Sequence, residues 1–455
     1  MKHVFLLLSS VLIISCNVEK KPDYALLSGK IINPLSSEVS IRDNNGETIF
    51  VSKLNDDGTF NDTIFNVDGF YSFKAGNEMT EIYLKKGYNL NIEIDTKEFD
   101  ETVTYSGLGS EVNNYQAQKF LLNEKNTGNT GELFLLEEGD FLSKNDMNFK
   151  ALYELADAIE DNAFKKIAKD NLKIEKATNL AQYEGYHGYL TKNKDFRVSE
   201  NFPNPYEGID LTDTNLYENN QSFKYLVHNK FFYDIGLESK EKDSDIITLA
   251  YEKVIEMPAN VIRDGLIENL FNQKEMFKKE NKETADALLS LVTDQDLQNK
   301  LSKELELMSK LGKGNKSPEF VNYENYNGNK TSLSDLKGKY IYIDVWATWC
   351  GPCKVEIPYL KKLEEQYRNK DIQFVSISVD REQDKDKWRE MIKENEMKGV
   401  QLFADKDWKS DFVINYGIKG IPTFILIDPD GNIVTASAPR PSNPELIELF
   451  DELKI

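Results

Sequence analysis

Two cysteines, Cys350 and Cys353, stand where an apolar strand ends and a helix begins. Ile341 to Trp346 reads as the strand, and Pro358 to Arg368 continues the helix. Free N–H groups and the positive end of the macrodipole favour an anion at a helix start. Cys350 is the residue they reach, so its thiolate is favoured and its pKa lowered. Cys353 lies one turn on, close enough to close a disulfide with Cys350. The sequence predicts an exposed nucleophile at Cys350 and a shielded resolving thiol at Cys353, which is what thiol–disulfide exchange requires. Two other readings compete. Zinc needs about four ligands, but there is no second Cys pair, and His187 and His228 lie far back in the chain. A purely structural disulfide across so short a loop removes little chain entropy. Neither a metal nor a cofactor is expected.

Around this pair the chain alternates strands and helices. Phe374 to Val379 and Phe424 to Ile427 are strands, Trp388 to Glu396 and Asp411 to Tyr416 are helical, and Glu445 to Leu453 closes as a helix. The turn Pro429-Asp430-Gly431-Asn432 leads into Ile433-Val434. This rhythm predicts a mixed sheet sandwiched by helices. Asp344 falls in the middle of the apolar strand, where a carboxylate is costly unless protonated or hydrogen-bonded. A raised pKa there would suit a proton acceptor for Cys353. Glu356, one turn after Cys353, is a second candidate for proton transfer. Trp349 reads as a lid beside Cys350, and Trp346 as core.

Asp344-Val345-Trp346-Ala347-Thr348-Trp349-Cys350-Gly351-Pro352-Cys353-Lys354 resembles the active-site segment of thioredoxins. Tyr416-Gly417-Ile418-Lys419-Gly420-Ile421-Pro422-Thr423-Phe424 resembles their second loop. The resemblance implies a thioredoxin fold, a cis Ile421–Pro422 peptide, and Pro422 packed against a redox disulfide, Cys350–Cys353. It also implies an active site lined by Trp349, Gly351, Pro352, Ile421 and Pro422. Ser317-Pro318-Glu319-Phe320, with Ser332 to Lys339, resembles the extra N-terminal hairpin of membrane-tethered thioredoxins of the TlpA/ResA kind. Cys353-Lys354-Val355-Glu356-Ile357-Pro358 is similar to their CPxxExP pattern, and Asp380 to Gly399 to their insertion. The resemblance covers about residues 315–455. By architecture the whole chain also resembles larger Bacteroidetes lipoproteins of this kind.

The other two thirds differ in pattern. Residues 1–16 have a basic start, an apolar run from Val4 to Ile14 and then Ser15-Cys16. That run is too short to span a bilayer and reads as a signal peptide. Its end resembles a lipobox, which implies lipidation of Cys16 and explains the odd number among three cysteines. Residues 17–23 then form a tether. Residues 24–105 show short alternating runs such as Leu90 to Ile94, with Asn-Asn-Gly and Asp-Asp-Gly turns, and predict a small antiparallel β domain. Residues 106–311 show helical spacing, as in Leu152, Leu155, Ala156 and Ile159. Phe202-Pro203-Asn204-Pro205 breaks that region. Gly312 to Pro318 reads as a linker, and 312–455 as the thioredoxin-like domain.

The 455 residues carry 56 basic and 77 acidic side chains, a charge of −21. Residues 1–311 hold 35 and 53 of them, and residues 312–455 hold 21 and 24, so the acidity belongs to the first part. Nucleic-acid binding needs a basic footprint and is excluded. The expectation is a lipid-anchored thiol:disulfide oxidoreductase of the cell envelope, facing the periplasm or the outside. It would reduce disulfide-bearing proteins with electrons from a membrane donor. A disulfide isomerase or oxidase, or a binding lipoprotein whose thioredoxin fold is accessory, are the alternatives.

Overall fold

The computed structural model describes residues 22–44, 46–128, 130–273 and 281–455. The segment expected to be a signal peptide, Cys16 with its expected lipid, and most of the expected tether lie outside the described residues. The chain divides into two compact units, Met1–Asp234 and Ile235–Ile455. The helical region read over 106–311 is therefore shared between them.

The first unit opens with eight strands: β1 (Tyr24–Ile32), β2 (Glu38–Arg42), β3 (Thr48–Lys53), β4 (Thr59–Phe65), β5 (Asp68–Ala75), β6 (Glu78–Lys85), β7 (Asn89–Asp95) and β8 (Thr104–Leu108). They form two four-stranded sheets, ordered β4-β1-β7-β8 and β3-β2-β5-β6. Alternating apolar positions fill one core between the sheets: Leu27, Leu90 and Ile92 from one, Ile41, Phe73 and Ile82 from the other. Pairing is antiparallel as expected except at β1–β7, which run parallel. The intervening β2–β6 segment carries the chain through the second sheet before β7 returns. β8 runs past the expected boundary at 105, because Ser106, Gly107 and Leu108 still pair with Asn91, Leu90 and Asn89 of β7. A short helix, α1 (Phe99–Thr102), precedes β8. After it come α2 (Ser110–Thr127), α3 (Thr130–Leu135), α4 (Glu138–Asp157), α5 (Asn162–Leu190), α6 (Thr214–Asn219) and α7 (Gln221–Lys242). Buried Asn113 on α2 ties helix to sheet, accepting from the Tyr83 N–H at 2.7 Å and donating to its carbonyl at 3.0 Å.

The division falls within α7, whose end is followed in the second unit by α8 (Ile246–Ile255), α9 (Val261–Phe271), α10 (Lys282–Leu291) and α11 (Gln295–Lys310). Then follow β9 (Tyr323–Asn325), β10 (Lys330–Thr331), β11 (Tyr340–Trp346), α12 (Gly351–Gln366), β12 (Ile372–Ser378), α13 (Lys385–Glu394), β13 (Val400–Phe403), α14 (Asp411–Asn415), β14 (Thr423–Ile427), β15 (Ile433–Thr435) and α15 (Glu445–Glu452). The sheet order is β10-β9-β13-β12-β11-β14-β15. β11, β12 and β13 are parallel, and β14 returns antiparallel to β11. Interior strand β11, between β12 and β14, is buried from Ile341 through Trp346. Its Ile341, Ile343 and Val345 enter one core, and Tyr342 enters another with Leu360, Leu363 and Phe450 of α12 and α15.

Two sequence expectations change here. β13 was not expected; a strand of four residues gives too short a run to stand out from its flanks. The 312–318 segment is not a free linker. The Gly314 N–H donates to Ile433 O at 2.7 Å, the Ile433 N–H to Asn315 O at 2.8 Å, and the Ser317 N–H to Gly431 O at 3.0 Å. These bonds satisfy backbone groups that β15, as an edge strand, would otherwise leave unpaired.

Candidate redox site

Cys350 is the N-cap of α12, and Pro352 sits in the helix's first turn, where its missing N–H costs nothing. The cysteines are joined by a disulfide with Cα atoms 5.3 Å apart. The Cys353 N–H donates to Cys350 Sγ at 3.1 Å, so a helix-end amide already points at the sulfur on which a thiolate would form. The expected contrast between an exposed and a shielded cysteine is corrected: each is 3% exposed, and both belong to the core shared with Trp346 and Ala347. In the disulfide both sulfurs share one buried position, and the exposed rim is formed by Gly351, Pro352 and Trp349 instead. The Trp349 ring is 59% exposed and lies 6.5 Å from that of Trp408. Trp346 is core.

Ile421–Pro422 is a cis peptide. Thr423 pairs with Val345, so the two residues before it run alongside the end of β11, toward the cysteines. Ile421 packs on the core that contains Cys350 and Cys353.

Asp344 is buried, paired in the sheet between Ser376 and Phe424. By the two-residue period it faces the same side as Tyr342, under α12. Burial pushes its carboxyl up to about 8; the charges of Glu356 and Glu364 add to the rise, and a Ser376 hydrogen bond opposes it. Glu356 is buried too, accepting from the Ser442 N–H at 3.0 Å and the Ser442 hydroxyl at 2.8 Å. The structure thus brings Asp344 and Glu356 into one acidic layer beneath the helix that carries the cysteines.

Two residues of this region escaped sequence reading. Glu364 lies two turns beyond Glu356 on the same helix face; burial pushes its carboxyl up to about 7. Its spacing of eight from Glu356, through Leu360, was the available signal. Asp380 is fully buried. It accepts from the Thr348 N–H at 2.9 Å, the Thr348 hydroxyl at 2.8 Å and the Ser378 hydroxyl at 2.8 Å, fixing the loop two residues before Cys350. An acid directly after the apolar strand Phe374–Val379 mirrors Asp344 and could have flagged it. Among the described residues, no group of three or more His, Cys, Asp or Glu is placed to hold a metal ion, and no helix is long and apolar enough to cross a membrane.

Comparison with known proteins addresses the same part of the chain. The Redoxin family pattern matches residues 312–448. ResA, a thiol-disulfide oxidoreductase of Bacillus cereus, is 33% identical over 121 residues; these cover 27% of this chain and 66% of ResA. The Bacillus subtilis ResA is 32% identical over 126 residues, with the same coverage, so the chain spans just under two thirds of these relatives. A Bacteroides vulgatus protein classed as a thiol-disulfide oxidoreductase and determined in solution is 52% identical, covering 32% of this chain and 92% of its own, with a TM-score of 0.28. Residues 312–448, then, form a domain that matches the Redoxin family, has a thioredoxin-like fold and is similar to the ResA thiol-disulfide oxidoreductases.

Proposed function

We propose that this protein is an extracytoplasmic thiol:disulfide oxidoreductase that reduces disulfides in other proteins. The observation that carries this reading is the Cys350–Cys353 pair at the start of α12, with the Cys353 amide aimed at Cys350 Sγ and an acid layer behind. In the reduced protein, the Cys350 thiolate attacks a substrate disulfide. A Cys350–substrate bond forms and the first substrate sulfur leaves as a thiolate. Cys353 loses its proton to Asp344, with Glu356 completing the transfer toward the exposed rim, and attacks Cys350 Sγ. The second substrate thiolate leaves, and the two electrons given to the substrate remain missing from a Cys350–Cys353 disulfide until a dithiol donor restores them. A carboxyl titrating near 8 takes and returns a proton at working pH. Gly-Pro between the cysteines is shared with reducing thioredoxin, which favours the reductive direction. The lipobox-like Ser15-Cys16 supports a lipid anchor at Cys16, an envelope location and a membrane electron donor.

The test uses the full chain with insulin as substrate and dithiothreitol as donor. Turnover is expected, with Cys350→Ser lowering it at least ~1,000-fold because a hydroxyl replaces the thiolate. Cys353→Ala is expected to accumulate reductant-sensitive covalent partners through Cys350. Wild-type turnover in Cys350→Ser would overturn the reading.

A further inference from the structure

The helix before the Redoxin-like domain grips the loop that borders the disulfide. The Lys419 Nζ donates to Glu304 Oε1 of α11 at 2.6 Å, two residues before Ile421. Leu307 of α11 stands where a side chain at Gly417 would go: an added Cβ would be 3.0 Å from Leu307 Cδ2. Gly417 also has φ +59°, so a side chain there would be strained and would press on Leu307. Leu307 and Met308 pack on the core that holds Cys350 and Cys353, and Leu311 belongs to it.

The helix is itself held at both ends. Asp294 caps it, accepting from the Leu297 N–H at 2.7 Å. Buried Asp264 of α9 accepts from the Thr293 hydroxyl at 2.6 Å and the Asp294 N–H at 3.0 Å. Lys300 donates to Glu268 of α9 at 2.6 Å. At the far end the Asn315 amide donates to Ser309 O at 3.0 Å and Lys310 O at 3.2 Å. The loop therefore bears on a fixed element, not on a flexible tail.

Resting on the oxidoreductase reading, we infer that Glu304 and Leu307 are positioning residues: they hold the 417–421 segment so that a polypeptide thiol or disulfide can be seated beside Cys350. The disulfide is almost wholly covered. A chain that reaches it crosses the rim of Gly351 and Pro352 on one side and half-buried Ile421 and Pro422 on the other. A small thiol needs only the sulfur, whereas a polypeptide must also fit the loop. Loss of the brace should slow exchange with a polypeptide and spare exchange with a small thiol.

The experiment measures, on the oxidised full chain, second-order rate constants for reduction of Cys350–Cys353 by reduced insulin B chain and by glutathione, followed by tryptophan fluorescence. Glu304→Lys and Lys419→Glu should each lower the B-chain to glutathione rate ratio about threefold to fivefold, the upper scale of a surface ion pair. The double exchange Glu304→Lys with Lys419→Glu should restore it. Leu307→Ala should lower the ratio, and Leu307→Met should keep it. A merely structural role would move both rates together or only the melting temperature. An unchanged ratio in all single variants, or a double exchange that fails to recover, overturns the inference while leaving the enzyme reading intact. A wild-type disulfide that reacts with neither thiol overturns both.

Discussion

β7 and β11 are strands of equal length with a carboxylate at the same fifth place, Glu93 in one and Asp344 in the other. β7 alternates, with Leu90, Ile92 and Ile94 in the sandwich core and Asn91 and Glu93 exposed. β11 is covered on both faces, since helices pack on each side of the seven-stranded sheet. Glu93 stays in contact with water. Asp344 does not, and burial lifts its pKa to about 8. A carboxylate in one strand position is thus solvated in one unit and desolvated in the other. What sets them apart is the second covered face.

The largest break in that comparison should come from Asp344→Asn. A carboxyl raised from 3.8 to about 8 holds its proton in the folded state after the unfolded chain has released it. Its contribution to stability is complete below about pH 4 and is lost as pH rises through 8. Asp344→Asn should therefore stabilise the oxidised protein at pH 9 by on the order of 3 kcal/mol. That gain should vanish near pH 4, as read by denaturant titration across pH. It should also slow resolution of the mixed disulfide. A gain independent of pH would show that Asp344 is charged when buried.

Asp380→Ala comes next. Asp380 accepts three hydrogen bonds, and its loss leaves buried Thr348 and Ser378 donors unsatisfied. The expected cost is about 2 kcal/mol, with slower exchange at Cys350 because the preceding loop loses its anchor. An unaffected exchange rate would make Asp380 purely structural. Smallest is Glu93→Gln, which should change the melting temperature by no more than about 2 °C, because the side chain is exposed. A larger change would mean that β7 is not the simple half-exposed strand its alternation describes.

Much of the redox site was legible along the chain because its parts are local. Cys350 and Cys353 lie within one helical turn, Pro422 directly precedes a strand, and Asp344 betrays itself by interrupting an apolar run. The alternation of β7 and the helical spacing around Leu152 are likewise local patterns, and both mark buried faces in the structure. Other features depend on residues far apart in sequence. The parallel pairing of β1 with β7 joins segments some sixty residues apart and has no trace in either strand. Thr348 meets Asp380 across two neighbouring strands, and Glu304 meets Lys419 across the whole Redoxin-like domain. Nor could the 312–318 segment show its bonds to β15, since glycine and lysine there look the same whether the backbone is free or paired. The sequence by itself determined where the cysteine pair sits, at the start of a helix after a strand, and the period of each element. Only the tertiary structure decided which carboxylates lose water and which helix the Pro422 loop leans on, because desolvation and long-range contact are properties of the packed chain.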